Sequence, residues 1–203
     1  LPLTILDLNE NVEVLILEMG TNSPGEIEVL SNIARPNLSV ITNIGKGHTL
    51  YLKNENEILR EKFNITKFFG PENFLIFNAD NKLLAEKCKN LGFKTMSFSI
   101  NSDSDTKGEG ISDSYDEFSI KINKEEIKIK IKAAGINNIY NSLSVVAAAK
   151  TLNIEPELIK KGLEEYGGIS NRFNIKKTGT NFIINDSYNA NPNSMKTAIQ
   201  MTN

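Results

Sequence analysis

Three short apolar runs in this chain each end on polar residues: Val14-Leu15-Ile16-Leu17 on Glu18, Leu38 to Ile41 on Thr42-Asn43, and Phe74 to Phe77 on Asn78-Ala79-Asp80. Continuous apolar runs bounded by Gly or Pro read as strands of a parallel sheet covered by helices. Ligands of such sheets bind off the carboxyl ends of the strands, where these polar residues fall. Glu18, followed by Met19-Gly20, can hold a hard cation such as Mg2+, and serves equally well as a helix or turn cap. His48, the only histidine, follows the second strand end in a glycine-rich turn, Gly45-Lys46-Gly47-His48. A lone histidine is usually structural, and Mg2+ prefers oxygen, so an imidazole here is a minority ligand or acts through water.

Lys62 is the most telling residue. At 100° per residue, Ile58, Ile65 and Phe69 fall on one flank of it and Leu59 and Phe63 on the other, so it lies within a buried helical stripe. Either its stem packs and its ammonium snorkels outward, or burial lowers the amine pKa and exposes a neutral nucleophile. A neutral amine can add carbon dioxide to form a carbamate, an anion able to bind metal.

Asn138 and Asn141, three residues apart after Gly135-Ile136-Asn137, share one face of a first helical turn, where free N–H groups favour polar ligand atoms. Asn138 alone also reads as an N-cap. In the run from Ile183 to Ser194, a strand ends on Asn185-Asp186 and a polar turn, Ser187-Tyr188-Asn189-Ala190-Asn191-Pro192, leads into a helix. Acidic residues so placed hold ribose hydroxyls in doubly wound folds, and turn chemistry alone also explains them.

The elements that position these groups alternate: strand 12–17, helix 25–33, strand 38–42, helix 55–69, strand 74–78 and helix 80–91. This is βαβ logic, an α/β fold with a mostly parallel sheet flanked by helices. From Phe93 to Lys132 the period becomes two, with an antiparallel hairpin turning near Asn123-Lys124-Glu125 and a solvated loop from Asn101 to Asp116. Alternation of Lys128, Lys130 and Lys132 with isoleucines marks a plain solvent face. Helical spacing returns over 138–152 and again after Glu155-Pro156. Gly167-Gly168 is the expected domain boundary, giving domains 1–168 and 169–203; the second begins with strands near Phe173–Lys176 and Phe182–Ile184 and a helix near Asn193-Ser194.

Of 203 residues, 23 are basic and 25 acidic, leaving a net charge near -2 and no field that recruits nucleic acid or anionic membrane. Cys88 is the single cysteine, and no apolar stretch approaches a membrane span, so a reducing, cytoplasmic setting is expected. The start on Leu1-Pro2-Leu3, without an initiator Met, suggests a cut fragment.

Taken together the residues resemble the Mur ligases. The resemblance rests on Leu17-Glu18-Met19-Gly20 with Pro24-Gly25-Glu26-Ile27, Thr42-Asn43-Ile44-Gly45 with His48, Lys62 fourteen residues later, Gly135-Ile136-Asn137-Asn138 with Asn141, Asn171-Arg172-Phe173, and Asp186 to Pro192. It implies most of a central ATPase domain of the P-loop type, then the opening of a Rossmann-like C-terminal domain. The family's phosphate loop, Gly-x-x-Gly-Lys-Thr, occurs nowhere in this sequence. Glu-Met-Gly and Tyr-Asn-Ala-Asn-Pro are similar to the member that joins D-alanyl-D-alanine to UDP-N-acetylmuramoyl-tripeptide in peptidoglycan precursor synthesis. The implied cofactors are ATP and Mg2+, and a monomer is expected. By position, the resemblance implies Glu18 and His48 at the metal ions, a carbamylated Lys62 supporting the second Mg2+, Asn138 and Asn141 at the adenine end, Arg172 at the ATP phosphates and Asp186 at the ribose. The resemblance also implies that Tyr188, Asn189 and Asn191 shape the substrate side.

The sequence departs from the family pattern at Asn137 (usually His), Leu50 (often Glu), Lys53-Asn54 (commonly Gly-Ser) and Asn185 (often Asp). Rival readings are another superfamily ligase such as folylpolyglutamate synthase, a non-catalytic binding domain, and a metal hydrolase using Glu18, His48 and Asp80. Without a phosphate loop the fragment alone is expected to be inactive.

Overall fold

The computed structural model describes residues 1–45, 52–122, 124–169, 174–188, 195, 196, 198 and 199. The chain divides into two units, Leu1–Met96 and Ser97–Asn203. The first holds helix α1 (Pro2–Leu6), helix α2 (Glu26–Ala34), strand β1 (Leu38–Ile41), helix α3 (Glu55–Phe63) with a 3-10 turn over Asn64–Thr66, strand β2 (Phe74–Asn78) and helix α4 (Lys82–Lys87). Strand β3 (Lys94–Ser99) runs from the first unit into the second. There follow β4 (Thr106–Lys107), β5 (Glu117–Ile122), β6 (Glu125–Lys130), α5 (Ile136–Thr151), α6 (Pro156–Glu165), β7 (Asn174–Thr178) and β8 (Asn181–Asn185).

Strands β1 to β4 form one sheet in chain order. β1 and β2 are parallel, Leu38 opposite Phe74 and Ile41 opposite Phe77, so their carboxyl ends lie side by side. Behind them Ile41, Ile58, Leu59, Leu75 and Leu84 pack with Cys88. Each fully buried aliphatic side chain there contributes about 1.5–3 kcal/mol. Two short signals set where the helices begin. Asn54 accepts the Glu57 N–H at 3.0 Å while Glu57 accepts the Lys53 N–H at 2.9 Å, a reciprocal cap that starts α3. Lys53-Asn54 thus departs from the family's Gly-Ser without losing the capping chemistry. Asn81 accepts the Leu84 N–H at 3.1 Å and starts α4.

In the second unit β5 and β6 form the expected hairpin, with Phe118 opposite Ile129 and Ile120 opposite Ile127. Ile127, Ile129 and Ile131 are buried and Lys128, Lys130 and Lys132 exposed, so the lysine row is a solvent face. α5 is buried through Ile139, Leu143, Val146 and Ala147.

Six expectations are corrected. Residues 12–17 form no strand: Val14 and Ile16 are 58 % and 89 % exposed, because no described strand pairs with the run and an apolar sequence needs a ladder and a cover to become one. The helix expected over 55–69 ends at Phe63 and tightens into the 3-10 turn. The helix expected over 80–91 is confined to 82–87, with Asn90 in the left-handed region at φ 56° beyond it. The stretch opening at Phe93 contributes β3 to the four-stranded sheet rather than to an antiparallel unit, and the loop 101–116 contains β4, parallel to β3 and anchored by buried Thr106. Asn138 is not an N-cap, since α5 opens two residues earlier, after Gly135 at φ 128°.

The strands expected near 173–176 and 182–184 are β7 and β8, antiparallel to each other with Asn174 opposite Asn185. The helix start expected at Asn193-Ser194 lies outside the described residues.

Candidate functional site

Lys62 Nζ donates to the Asn43 carbonyl at 3.0 Å, which ties α3 to the carboxyl end of β1. The side chain is half-buried, and that desolvation pushes the amine pKa below its ordinary value, because a charged ammonium is disfavoured where water is excluded. The next strand end is fastened to the same point. Asn81 Nδ2 donates to Asn43 Oδ1 at 2.7 Å and to the Ile44 carbonyl at 2.8 Å. Buried Asn78, the last residue of β2, accepts the Asp80 N–H at 2.9 Å, shaping the turn that delivers Asn81. A lysine of lowered basicity and a set of fixed amide groups thus share the carboxyl ends of two parallel strands.

The helical-stripe reading placed Lys62 at the centre of the buried arc. The buried polar residue of α3 is instead its neighbour Glu61, 4 % exposed. Glu61 accepts N–H bonds from Gly25 at 2.8 Å and Ile27 at 2.9 Å, and the Asn64 amide donates to it at 3.2 Å. Buried Thr21 places its hydroxyl 3.5 Å from the same carboxylate, 3.1 Å from Glu26 and 2.9 Å from the Ser23 carbonyl. Glu26 accepts the Asn22 and Ser23 N–H groups at 2.6 and 3.0 Å, and these bonds, Ser23 first, hold its pKa below the usual carboxylate range. The N-terminus of α2 is therefore closed by two carboxylates of the chain itself. Glu18, three residues before Thr21, is exposed in irregular chain. Sequence reasoning missed Glu61 and Asn81. The only available signal for Asn81 was its capping position before a short helix, and Glu61 carried none, because its partners are 34 and 36 residues away.

In the second unit Asn138 and Asn141 line one end of a cavity of about 480 Å³ between α5 and α6, whose walls include Val145, Ala149, Leu158 and Tyr166. Asn138 Nδ2 donates to the Ala134 carbonyl at 3.1 Å. A mostly apolar cleft of this size with a few polar groups in its lining has the character of a small-molecule site. After β8, Asp186 is partly buried and Tyr188 exposed, and Ser187 turns back on Asn185 Oδ1 through its N–H at 3.2 Å and its hydroxyl at 2.7 Å. His48, Arg172, Asn189 and Asn191 lie outside the described residues. Among the described residues, no group of three or more His, Cys, Asp or Glu side chains is arranged to hold a metal ion. No helix among them is long and apolar enough to cross a membrane.

A parallel four-stranded sheet flanked by helices, with amide groups and a lysine tied together at the ends of two strands, defines an α/β class of fold. A family model described as the Mur ligase middle domain matches residues 1–149, and the chain belongs to this family. The UDP-N-acetylmuramoyl-tripeptide–D-alanyl-D-alanine ligase of Bacillus subtilis is 36% identical over 205 residues, spanning 100% of this chain and 44% of the relative. That of Buchnera aphidicola is 34% identical, spanning 98% of this chain and again 44% of the relative. The chain thus spans less than half the length of these curated relatives. Among solved structures, a MurF from Acinetobacter baumannii superposes with TM-score 0.92 at 29% identity, covering 98% of this chain and 44% of that one. A Thermotoga maritima MurF ligase in complex with ADP gives TM-score 0.87 at 22% identity, covering 98% and 47%, which shows a shared fold.

Proposed function

We propose that this chain is the central part of an ATP-dependent amide ligase that joins D-alanyl-D-alanine to UDP-N-acetylmuramoyl-tripeptide. The observation that carries the reading is Lys62, a half-buried amine of lowered pKa tied to the end of β1, in a chain 36% identical to a ligase of that name. ATP phosphorylates the tripeptide's terminal carboxylate, the amine of D-alanyl-D-alanine attacks the acyl phosphate, and the tetrahedral intermediate expels phosphate. Chemistry of this kind depends on positioning and charge neutralisation more than on covalent help from the protein.

Mg2+ fits the donor set. It is commonly bound through one or two carboxylates plus substrate phosphates, and Glu18 together with a carbamylated Lys62 would supply such oxygen donors. Glu18 and, as a minority ligand, His48 would serve the metal ions, and the carbamate of Lys62 would support the second. The carbamate forms when the neutral amine bonds to the carbon of carbon dioxide and releases a proton, so lowering the amine pKa favours it. When bound, Mg2+ supplies charge neutralisation at the transferring phosphoryl group. Lys62 holds an anion in place at the strand end, and Asn43 and Asn81 fix the direction from which it is presented. Asn138 and Asn141 take the adenine end, Arg172 the phosphates and Asp186 the ribose, while Tyr188, Asn189 and Asn191 shape the substrate side.

On this reading residues 1–168 are the central ATPase domain without its phosphate loop, and 169–203 open the C-terminal ligase domain. The whole enzyme is monomeric and cytoplasmic, with no nucleic-acid or membrane partner. The chain alone is inactive, because loss of one electrostatic clamp commonly costs a factor of about 10² or more. The test is phosphate release by the full-length protein given ATP, UDP-N-acetylmuramoyl-tripeptide and a panel of amine acceptors. Turnover that requires D-alanyl-D-alanine is expected; turnover with glutamate on a folate acceptor, or none with any acceptor, would overturn the assignment.

A further inference from the structure

We infer that Glu61 is a positioning residue for the metal side of the site, locking the turn that follows Glu18 onto the helix that carries Lys62. The inference rests on the ligase reading above and goes beyond it, because it assigns a role to a residue that touches neither nucleotide nor substrate.

Glu61 and Lys62 are consecutive on α3 and point about 100° apart. One reaches the turn before α2 and the other the end of β1, so α3 is pinned along two directions by neighbouring side chains. Glu61's partners are two backbone N–H groups and a side-chain amide, at 2.8 to 3.2 Å. Such bonds are directional, which an apolar residue of the same volume is not. The carboxylate is 4 % exposed, so substituting it with an apolar residue would strand the buried Ile27 N–H away from water and take the acceptor from the Gly25 N–H. A buried carboxylate is a costly way to hold two helices together if stability alone were needed. Its geometry is spent on the loop Thr21–Ile27, whose first residue, Thr21, is itself buried against Glu61 and lies three positions after Glu18. One carboxylate therefore fastens the turn that follows Glu18 to the helix that carries Lys62.

The experiment uses the full-length protein with Glu61→Ala, Glu61→Gln and, as a control, Lys62→Ala. Three quantities are followed: the carbamate carbon signal in NMR after equilibration with 13C-labelled bicarbonate, the Mg2+ concentration giving half-maximal rate together with kcat and the KM for D-alanyl-D-alanine, and the melting temperature. The inference predicts that Glu61→Ala, at a temperature where it is folded, loses most of the carbamate signal and needs several-fold more Mg2+. It predicts that kcat falls on the order of 10- to 100-fold while the acceptor KM stays within about two-fold, as expected for misplaced groups rather than lost binding. Glu61→Gln, which keeps one acceptor oxygen for the two N–H groups, recovers part of each loss. A folded Glu61→Ala with wild-type carbamate occupancy and Mg2+ requirement overturns the inference, whatever its melting temperature. If Glu61→Ala does not fold, the same comparison between Glu61→Gln and the unsubstituted enzyme decides: unchanged carbamate and Mg2+ requirement overturn it. Lys62→Ala separates the two layers. If it abolishes the carbamate signal and activity while the Glu61 variants change neither, only the role of Glu61 falls; if Lys62→Ala itself leaves activity intact, the ligase reading and the Glu61 role fall together.

Discussion

Lys62 and Glu61 sit side by side on one helix, and only the first could be found by inspecting the chain. A lysine flanked by Ile58, Leu59 and Phe63 breaks an apolar stripe, and that irregularity is visible at a 3.6-residue period. A glutamate at position 61 breaks nothing; its burial is created by Gly25 and Ile27, brought in by the fold. Glu26, in the same turn, gives a pH test. Its carboxylate is held below its ordinary pKa by the Ser23 and Asn22 N–H groups, so its stabilising effect is present above the unfolded-state pKa and is lost as pH falls through the lowered folded value. Glu26→Gln should lower the melting temperature at neutral pH, and the gap should close on acidification; a gap constant with pH would contradict this. Cys88 is 7 % exposed and desolvation pushes its thiol up to about 12, so it should resist alkylation in the native protein at mildly alkaline pH and react once denatured. Rapid native labelling, read by mass spectrometry, would show that the packing around α4 is wrong.

At the scale of elements, the sequence was most legible where a segment carries its own signals. The start of α3 at Glu55, the alternation of β5 and β6, and Pro156 at the start of α6 all fell where local chemistry put them. It was least legible where an element depends on a neighbour. Residues 12–17 have strand composition without a pairing strand among the described residues, and β3 was hidden because its partners come from either side in the sheet, not from the adjacent hairpin. Asn81 is the element-scale device that joins two strand ends, through bonds to Asn43, Ile44 and the Leu84 N–H. Asn81→Ala should destabilise the fold by about 1–3 kcal/mol in denaturant titration, since it removes a cap and the partner of the partly buried Ile44 carbonyl. It should also depress activity more than stability, because the carbonyl that receives Lys62 belongs to Asn43. Leu143, fully buried on α5, should cost about 2–5 kcal/mol when replaced by Ala; a value below 1 would place α5 outside the core.

For the molecule as a whole, family membership follows from a match over residues 1–149 and from relatives similar along essentially the whole chain. The sequence Gly-x-x-Gly-Lys-Thr does not occur in these 203 residues, so the proposed chemistry is one to be tested on the full-length protein. The central claim is that Lys62 presents an anion, not a cation, at the end of β1. It is tested by the activity of full-length Lys62→Ala, measured with and without short-chain carboxylic acids that can occupy the vacated space. The account predicts loss of at least about 10²-fold in kcat, with partial recovery when the acid is added. Undiminished activity of the untreated variant would contradict it.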